Sequence, residues 1–292
     1  AVSLSYFTHR EIRRIFSCLL MSFLKTIDLF TVPDRVRGEI RALGAFERMI
    51  FFLFAALAAV SGFFLLIGWS QGFLVETPVA GGTLREGVIG SPRFVNPLLA
   101  LSDADRDLTA LTYAGLMKAT PEGNFVTDIA EAYEVSDDGL HYTFIIRNGA
   151  SFHDGEPVTA DDVLFTIQMV QDNRIKSPKR PNWEGVSVEK ISDREVRFSL
   201  GQPYAPFLGN TTLGILPRHI WKNADPEQFS FSQFNVEPVG AGPYRAVSIK
   251  RNGAGVPVSY TLKPFRNYSL GEPFISELVL KFYPNEDALL HA

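Results

Sequence analysis

The sequence predicts a mixed α/β domain held outside a membrane by a single spanning helix. Three observations carry that expectation. From residue 83 onward, short strand patterns and short helix patterns alternate irregularly, as in mixed sheets with helices packed on them. A run of 21 residues without charge, Met49 to Trp69, precedes them. The composition, 46% hydrophobic and 21% charged over 292 residues, supplies enough apolar side chain for a sizeable core and argues against general disorder.

The uncharged run, "MIFFLFAALAAVSGFFLLIGW", is the most distinct block of the chain. As a helix it covers roughly 31 Å, about the hydrocarbon thickness of a bilayer. A cleavable signal peptide has a shorter apolar core and a small-residue cleavage site, whereas Ser70-Gln71-Gly72-Phe73-Leu74 follows here. The competing reading is a buried core helix. Residues 1–48 carry eight basic residues, with Arg35, Arg37, Arg41 and Arg48 near the run, and Ser70 to Thr83 carries none. This asymmetry places the N-terminus in the cytoplasm and the remainder outside. The segment Ile15 to Leu24 is too short to span, so it either lies at the interface beside Arg10, Arg13 and Arg14 or forms a short cytoplasmic helix. The expected organisation is a cytoplasmic segment 1–48, a membrane helix 49–69, a linker 70–82 and a folded region 83–292.

In the folded region, Thr83 to Ile89 reads as a first strand, broken by Gly90-Ser91-Pro92, and Asn96-Pro97 starts another turn. Asp105 to Met117 has helical apolar spacing with acids in its first turn. Asp103, Asp105 and Asp107 alternate like a calcium loop, but the glycine and glutamate that such a loop needs are Leu108 and Ala114 here. Tyr142, Phe144 and Ile146 alternate as one apolar strand face, and Asn148-Gly149 and Asp154-Gly155 mark turns. Thr159 caps a helix, accepting from the N–H of Asp162, and Val163, Ile167 and Val170 share a face of that helix. Val186 to Ile191 and Glu195 to Leu200 form a pair of strands. Phe207 and Pro217 to Trp221 lie in helical turns. Gly240 to Tyr244 is a constrained turn into the strand Arg245 to Ile249. Val258 to Lys263 and Ile275 to Phe282 are further strands, and Glu286 begins a last helix.

Several classes of function are disfavoured. The single cysteine, Cys18, leaves neither an internal disulfide nor a cysteine zinc cluster. From Ser70 onward, 20 basic residues face 27 acidic ones, and the only basic cluster is Arg174 to Arg180, which gives nucleic-acid binding little support. The stretch "GLHYTFIIRNGASFHDGEPVTADDV" holds two histidines, three aspartates and a glutamate. Neighbours on a turn diverge, no serine or cysteine has a nucleophile context, and His-Glu-x-x-His spacing is absent. Turn and capping chemistry explains these residues better than catalysis or metal binding, so no enzyme and no cofactor is expected.

The same stretch, extended from Ser136 to Ile167, resembles the signature of bacterial family 5 extracellular solute-binding proteins, the peptide and nickel receptors of ABC importers. "GGTLREG", "LTYAGLM", "DIAEAYEVSDDG", "ILPRHIW", "PVGAGPYR" and "NYSLGEPFISELVLKFYPNEDAL" are similar to further blocks of that family in the same order. The resemblance covers roughly residues 81 to 290. It implies a two-lobed, type II periplasmic-binding-protein-like fold in which residues 83–292 are a mixed-sheet first lobe. The second lobe would follow Ala292, and the chain reads as a fragment at both ends. The resemblance further implies ligand capture for an ABC permease and its ATPase, with peptides as substrates. Other solutes, such as nickel, haem or sugar oligomers, and a tethered sensor are the alternatives. A single lobe would bind weakly or not at all, because closure around the ligand needs both.

By the same resemblance, Gly90, Ser91, Pro92, Arg93, Phe94 and Asn96 border the ligand, with main-chain groups extending a bound peptide like a strand. Pro92 lacks an N–H for this. Tyr113 and Gly115 face the cleft, and Gly242 and Tyr244 return to it. For each of these, backbone geometry or core packing is the competing reading.

Overall fold

The computed structural model describes residues 42–71 and 79–292. Most of the expected cytoplasmic segment, including Ile15 to Leu24, and linker residues 72–78 lie outside the described residues. The chain divides into two units, Ala1–Thr77 and Pro78–Ala292.

In the first unit, α1 (Ala45–Gln71) is uncharged after Glu47 and Arg48 and contains no proline. Its described side chains are uncovered: Phe54 is 66% exposed and Leu65 71%. By length and composition, Ala45–Leu65 suffices to cross a membrane.

The second unit is built on two four-stranded sheets and a hairpin. In the first sheet, β1 (Thr83–Ile89) pairs in parallel with β10 (Glu277–Tyr283), and β9 (Pro257–Pro264) and β8 (Tyr244–Arg251) continue it antiparallel. The second sheet has the order β4 (Ala130–Val135), β5 (His141–Ile146), β7 (Glu195–Ser199), β6 (Ser187–Ser192), all antiparallel. β2 (Met117–Ala119) and β3 (Phe125–Thr127) form the hairpin.

The alternation of β5 sends Tyr142, Phe144 and Ile146 inward, where Val196 and Phe198 of β7 meet them. The rings of Phe144 and Phe198 stand edge to face at 5.7 Å. Each such phenylalanine contributes about 1.5–3 kcal/mol by burial. Helix α3 (Ala160–Gln171) lays Val163, Ile167 and Val170 on the same core. Its start is a capping box: the Thr159 side chain accepts from the backbone of Asp162, and the Thr159 N–H donates to Asp162 Oδ2 (2.8 Å), which also takes the Thr159 hydroxyl (2.7 Å). The N–H of Asp162 donates to the Thr159 carbonyl (3.1 Å). The short aspartate brings its carboxylate close enough to the cap to take both donors. Its other oxygen accepts the N–H of Arg218 (2.8 Å).

A second core joins Tyr260, Leu262, Leu278, Leu280 and Phe282 of the first sheet to Ala104 and Leu108 of α2 (Asp103–Thr112). Ser102 caps this helix, accepting from the N–H of Asp105 (3.1 Å). The helix was expected to reach Met117 but stops at Thr112. Tyr113 turns extended (φ −115°, ψ 155°), and Met117 pairs with Thr127. At Gly115 a Cβ would lie 2.7 Å from the Thr212 carbonyl, so the chain there runs against another backbone instead of coiling. The short helices α4 (Phe207–Asn210), α5 (Arg218–Trp221) and α6 (Glu286–Leu290) fall where turns and capping residues foretell them.

Candidate functional site

A cavity of about 250 Å³ opens beside the C-terminal half of α2. One wall is a stripe of that helix, Arg106, Thr109 and Ala110, continued by its C-cap residue Tyr113. The helical turn Arg180–Trp183 supplies Asn182 and Trp183, preceded by Lys179, and the loop after α4 supplies Thr212 to Gly214. The indole of Trp183 is held edge-on to Phe207 at 5.9 Å, which makes this side of the cavity rigid.

The Tyr113 hydroxyl and Thr109 Oγ1 are buried and have no hydrogen-bond partner. Leaving a buried polar group unpaired costs about 1–3 kcal/mol, so native proteins seldom do it without a use for the group. Burial also holds the Tyr113 phenol well above its ordinary range, so it stays a neutral hydroxyl. Two larger hollows, one over β9 and β10 on the first sheet (about 560 Å³) and one beside Phe231 (about 390 Å³), contain neither of these hydroxyls.

Support for Tyr113 runs back to the histidine-rich stretch. Gly240 and Gly242 press on the end of α2. A Cβ at Gly240 would lie 2.1 Å from the Thr112 oxygen, and one at Gly242 2.6 Å from the Thr112 carbonyl carbon. The N–H of Gly242 donates to that oxygen (3.0 Å). His153 clamps the glycine turn from the other side. Its Nε2 donates to the Gly242 oxygen (3.0 Å), and its Nδ1 accepts from the Gly240 N–H (3.4 Å). Loss of solvent around the ring lowers the His153 pKa to about 4, so it is neutral at ordinary pH. Its neighbour Asp154 bonds His219 at 2.7 Å. Both side chains of the "HD" pair are thus occupied in holding turns together.

The sequence-derived site residues separate into three groups. Tyr113 lines the cavity, and Pro97, next to Asn96, lines it too. The segment Ser91 to Phe94 is pinned to α2: buried Asp105 accepts the N–H groups of Arg93 (2.7 Å) and Phe94 (2.8 Å). The N–H groups of Gly90 and Val95 go to the Tyr283 and Asn235 carbonyls (2.8 and 2.7 Å). Ser91 and Arg93 are exposed, and Pro92 is buried. Asn96 is fully buried, bonded to Asn235 (3.0 Å) and capping its own turn at Leu98 (2.9 Å). Gly115 and Gly242 are close-packing points, and Tyr244 is buried in the first-sheet core, its hydroxyl on the Ile275 carbonyl (3.3 Å).

Arg106, Thr109, Lys179 and Asn182 were not foreseen as cavity residues. Arg106 and Thr109 share a helical stripe with Tyr113, a signal present in the sequence. Lys179 belongs to the basic cluster Arg174 to Arg180, but nothing local says that this cluster folds over α2.

Residues 124–292 match the family model for the middle region of bacterial extracellular solute-binding proteins, family 5. The chain is 32% identical over 215 residues to the oligopeptide-binding protein AppA of Bacillus subtilis, a match covering 72% of this chain and 39% of that protein. The crystal structure of that AppA with a nonapeptide superposes with a TM-score of 0.66 at 31% identity, covering 73% of this chain and 42% of AppA. NikZ of Campylobacter jejuni in complex with Ni(L-His) superposes at 0.62 and 28% identity, over 69% of this chain and 39% of NikZ. AgaA of A. tumefaciens R10 with agropinic acid does so at 0.63 and 28% identity, over 72% and 42%. The chain therefore spans about two fifths of the length of these relatives. Its mixed sheets are those of periplasmic binding proteins, and the chain belongs to the family 5 bacterial extracellular solute-binding proteins.

Proposed function

We propose that this protein captures a small solute for an ABC importer, with peptides as the substrate class, and that the cavity beside α2 forms part of its ligand site. The observation that carries this reading is the superposition on AppA, solved with a nonapeptide, of a chain that belongs to a solute-binding family. The nonapeptide of AppA supports the choice of peptide. The ligand is gripped without being transformed, and a permease and ATPase take it onward. With four N–H groups of the Gly90–Val95 stretch already bonded inside the fold, a ligand strand beside Ser91 to Phe94 reads that stretch through its carbonyls. Gly115, Gly242 and Tyr244 act from behind, by packing.

We also propose that α1 anchors the protein in the cell membrane, with residues 1–48 cytoplasmic and the folded unit outside. A fixed tether keeps the receptor concentrated beside its permease. Uptake of a radiolabelled oligopeptide by cells with and without the gene tests the function: uptake that deletion leaves unchanged refutes it. Extraction in alkaline carbonate tests the anchor, which predicts that the protein stays in the membrane pellet.

A further inference from the structure

The first sheet has two unlike faces. One packs on Ala104 and Leu108 of α2, and the strand register sets the composition of the other. On that open face, Arg85 shares a row with Val279, Thr261 and Ser248, and Gly87 shares the next with Lys281, Ser259 and Lys250. Arg245 pairs with Lys263 at the other end. Strand alternation adds Glu277, the one acid among these positions. All five cations are exposed, and among the described residues none of them forms an ion pair. A hollow of about 560 Å³ on this face is bordered by Arg85, Lys250 and Lys281 with Ser259 and Thr261, and none of its lining residues is an aspartate or glutamate. Helix α6 reaches the face at its Gly87 corner, where Leu289 lies against the glycine. From Ser70 onward the chain carries 27 acidic and 20 basic residues. A unit so acidic needs no basic patch for solubility, and gathering like charges costs self-repulsion unless an anion faces them. The anion nearest by connectivity is a membrane. Only residues 72–82 join the end of α1 to Thr83 of β1. Fully extended, they span at most about 40 Å. A unit on so short a tether meets the bilayer surface at high effective concentration.

We infer that this open face docks on the anionic surface of the membrane that α1 spans, with Arg85, Arg245, Lys250, Lys263 and Lys281 against lipid phosphates. Helix α2, on the opposite side of the sheet, is thereby turned away from the bilayer. The inference rests on the reading of α1 as a membrane anchor. Each basic residue brought to such a surface raises the docked population about fivefold.

The test uses the whole protein reconstituted in vesicles of phosphatidylcholine, alone or with about 30% phosphatidylglycerol. It carries Cys18→Ser and a fluorophore at Ser248→Cys on the open face, or at Asn223→Cys outside the first sheet. Quenching by lipids with a nitroxide on the headgroup reports contact with the surface. The ratio of docked to undocked protein, read at Ser248, is expected to be at least about tenfold higher with phosphatidylglycerol, with no such rise at Asn223. Lys250→Gln and Lys281→Gln are each expected to lower that ratio about fivefold, and about 0.5 M sodium chloride to abolish the difference between lipids. Equal quenching at Ser248 in both lipids, or a ratio that survives the two substitutions together, overturns the inference. So does burial of that label that grows with protein density and ignores lipid charge, because a second copy then covers the face. Alkaline carbonate extraction of the same vesicles reads the anchor separately. If the protein leaves both kinds of vesicle, the anchor reading fails. Co-sedimentation at neutral pH with phosphatidylglycerol vesicles, and not with phosphatidylcholine ones, then still supports docking by the face, and co-sedimentation with neither refutes it.

Discussion

Lowering the pH should weaken the fold through His153, and the amount can be worked from its surroundings. Its Nδ1 accepts the Gly240 N–H, and its Nε2 donates to Gly242. A second proton would have to sit on Nδ1, facing an N–H that already points at it. Burial disfavours the charge further, and the pKa falls from 6.5 to about 4. The sign follows from linkage. Below pH 6.5 the unfolded chain gains a proton at this site that the folded chain refuses until about pH 4. Stability contributed by neutral His153 is therefore present above pH 6.5, declines as pH falls from there to about 4, and levels off below. A shift of that size corresponds to at most about 3 kcal/mol. Other carboxylates and histidines titrate over the same range, so the assay compares the protein with His153→Gln. Urea unfolding, followed by the fluorescence of buried Trp183 and Trp221, gives stability at each pH. The difference between the two proteins should shrink by up to about 3 kcal/mol between pH 7 and pH 4. A difference that stays constant across that range refutes the assignment of His153 as a neutral clamp.

Tyr113→Phe removes a buried hydroxyl without a partner, and should leave the fold unchanged or about 1 kcal/mol more stable, read by thermal unfolding. Asp105→Ala strips the acceptor from the N–H groups of Ser102, Arg93 and Phe94 and should cost about 3 kcal/mol or more, measured in urea. Gly240→Ala forces a methyl against the Thr112 carbonyl and should cost about 1–3 kcal/mol. Its signature is a shifted Tyr113 ring resonance, which a loss confined to a distant loop would not produce.

Much of the fold is legible locally, because its signals are local. The period-two pattern from Tyr142 to Ile146, the capped start at Thr159 and the glycine turns at Gly149 and Gly155 (φ 80° and 96°) each report on a few neighbouring residues. The end of α2 is not legible this way. Leu111 to Met117 keeps a helical pattern, whereas the backbone at Gly115 lies against the Thr211 and Thr212 carbonyls, a hundred residues later in the chain. The cavity was half legible. Of its lining residues, Tyr113 was named through family resemblance, and Arg106 and Thr109 share its helical spacing. Lys179 was hidden, because its approach to α2 depends on packing of Trp183 against Phe198 and Phe207. Asp105 looked like helix-end charge, and it also takes the backbone donors of a separate loop.

The parallel pairing of β1 has a consequence for biogenesis. Thr83 sits opposite Glu277, so the earliest strand of the second unit to emerge must wait for one of the latest. Throughout that interval its peptide groups lack their sheet neighbour, and closing so long a loop is slow compared with forming a local hairpin. The antiparallel sheet from β4 to β7 draws only on residues 130–199 and can assemble meanwhile. A ribosome paused before residue 277 should therefore hold a chain whose middle resists protease while its leading strand is still cut.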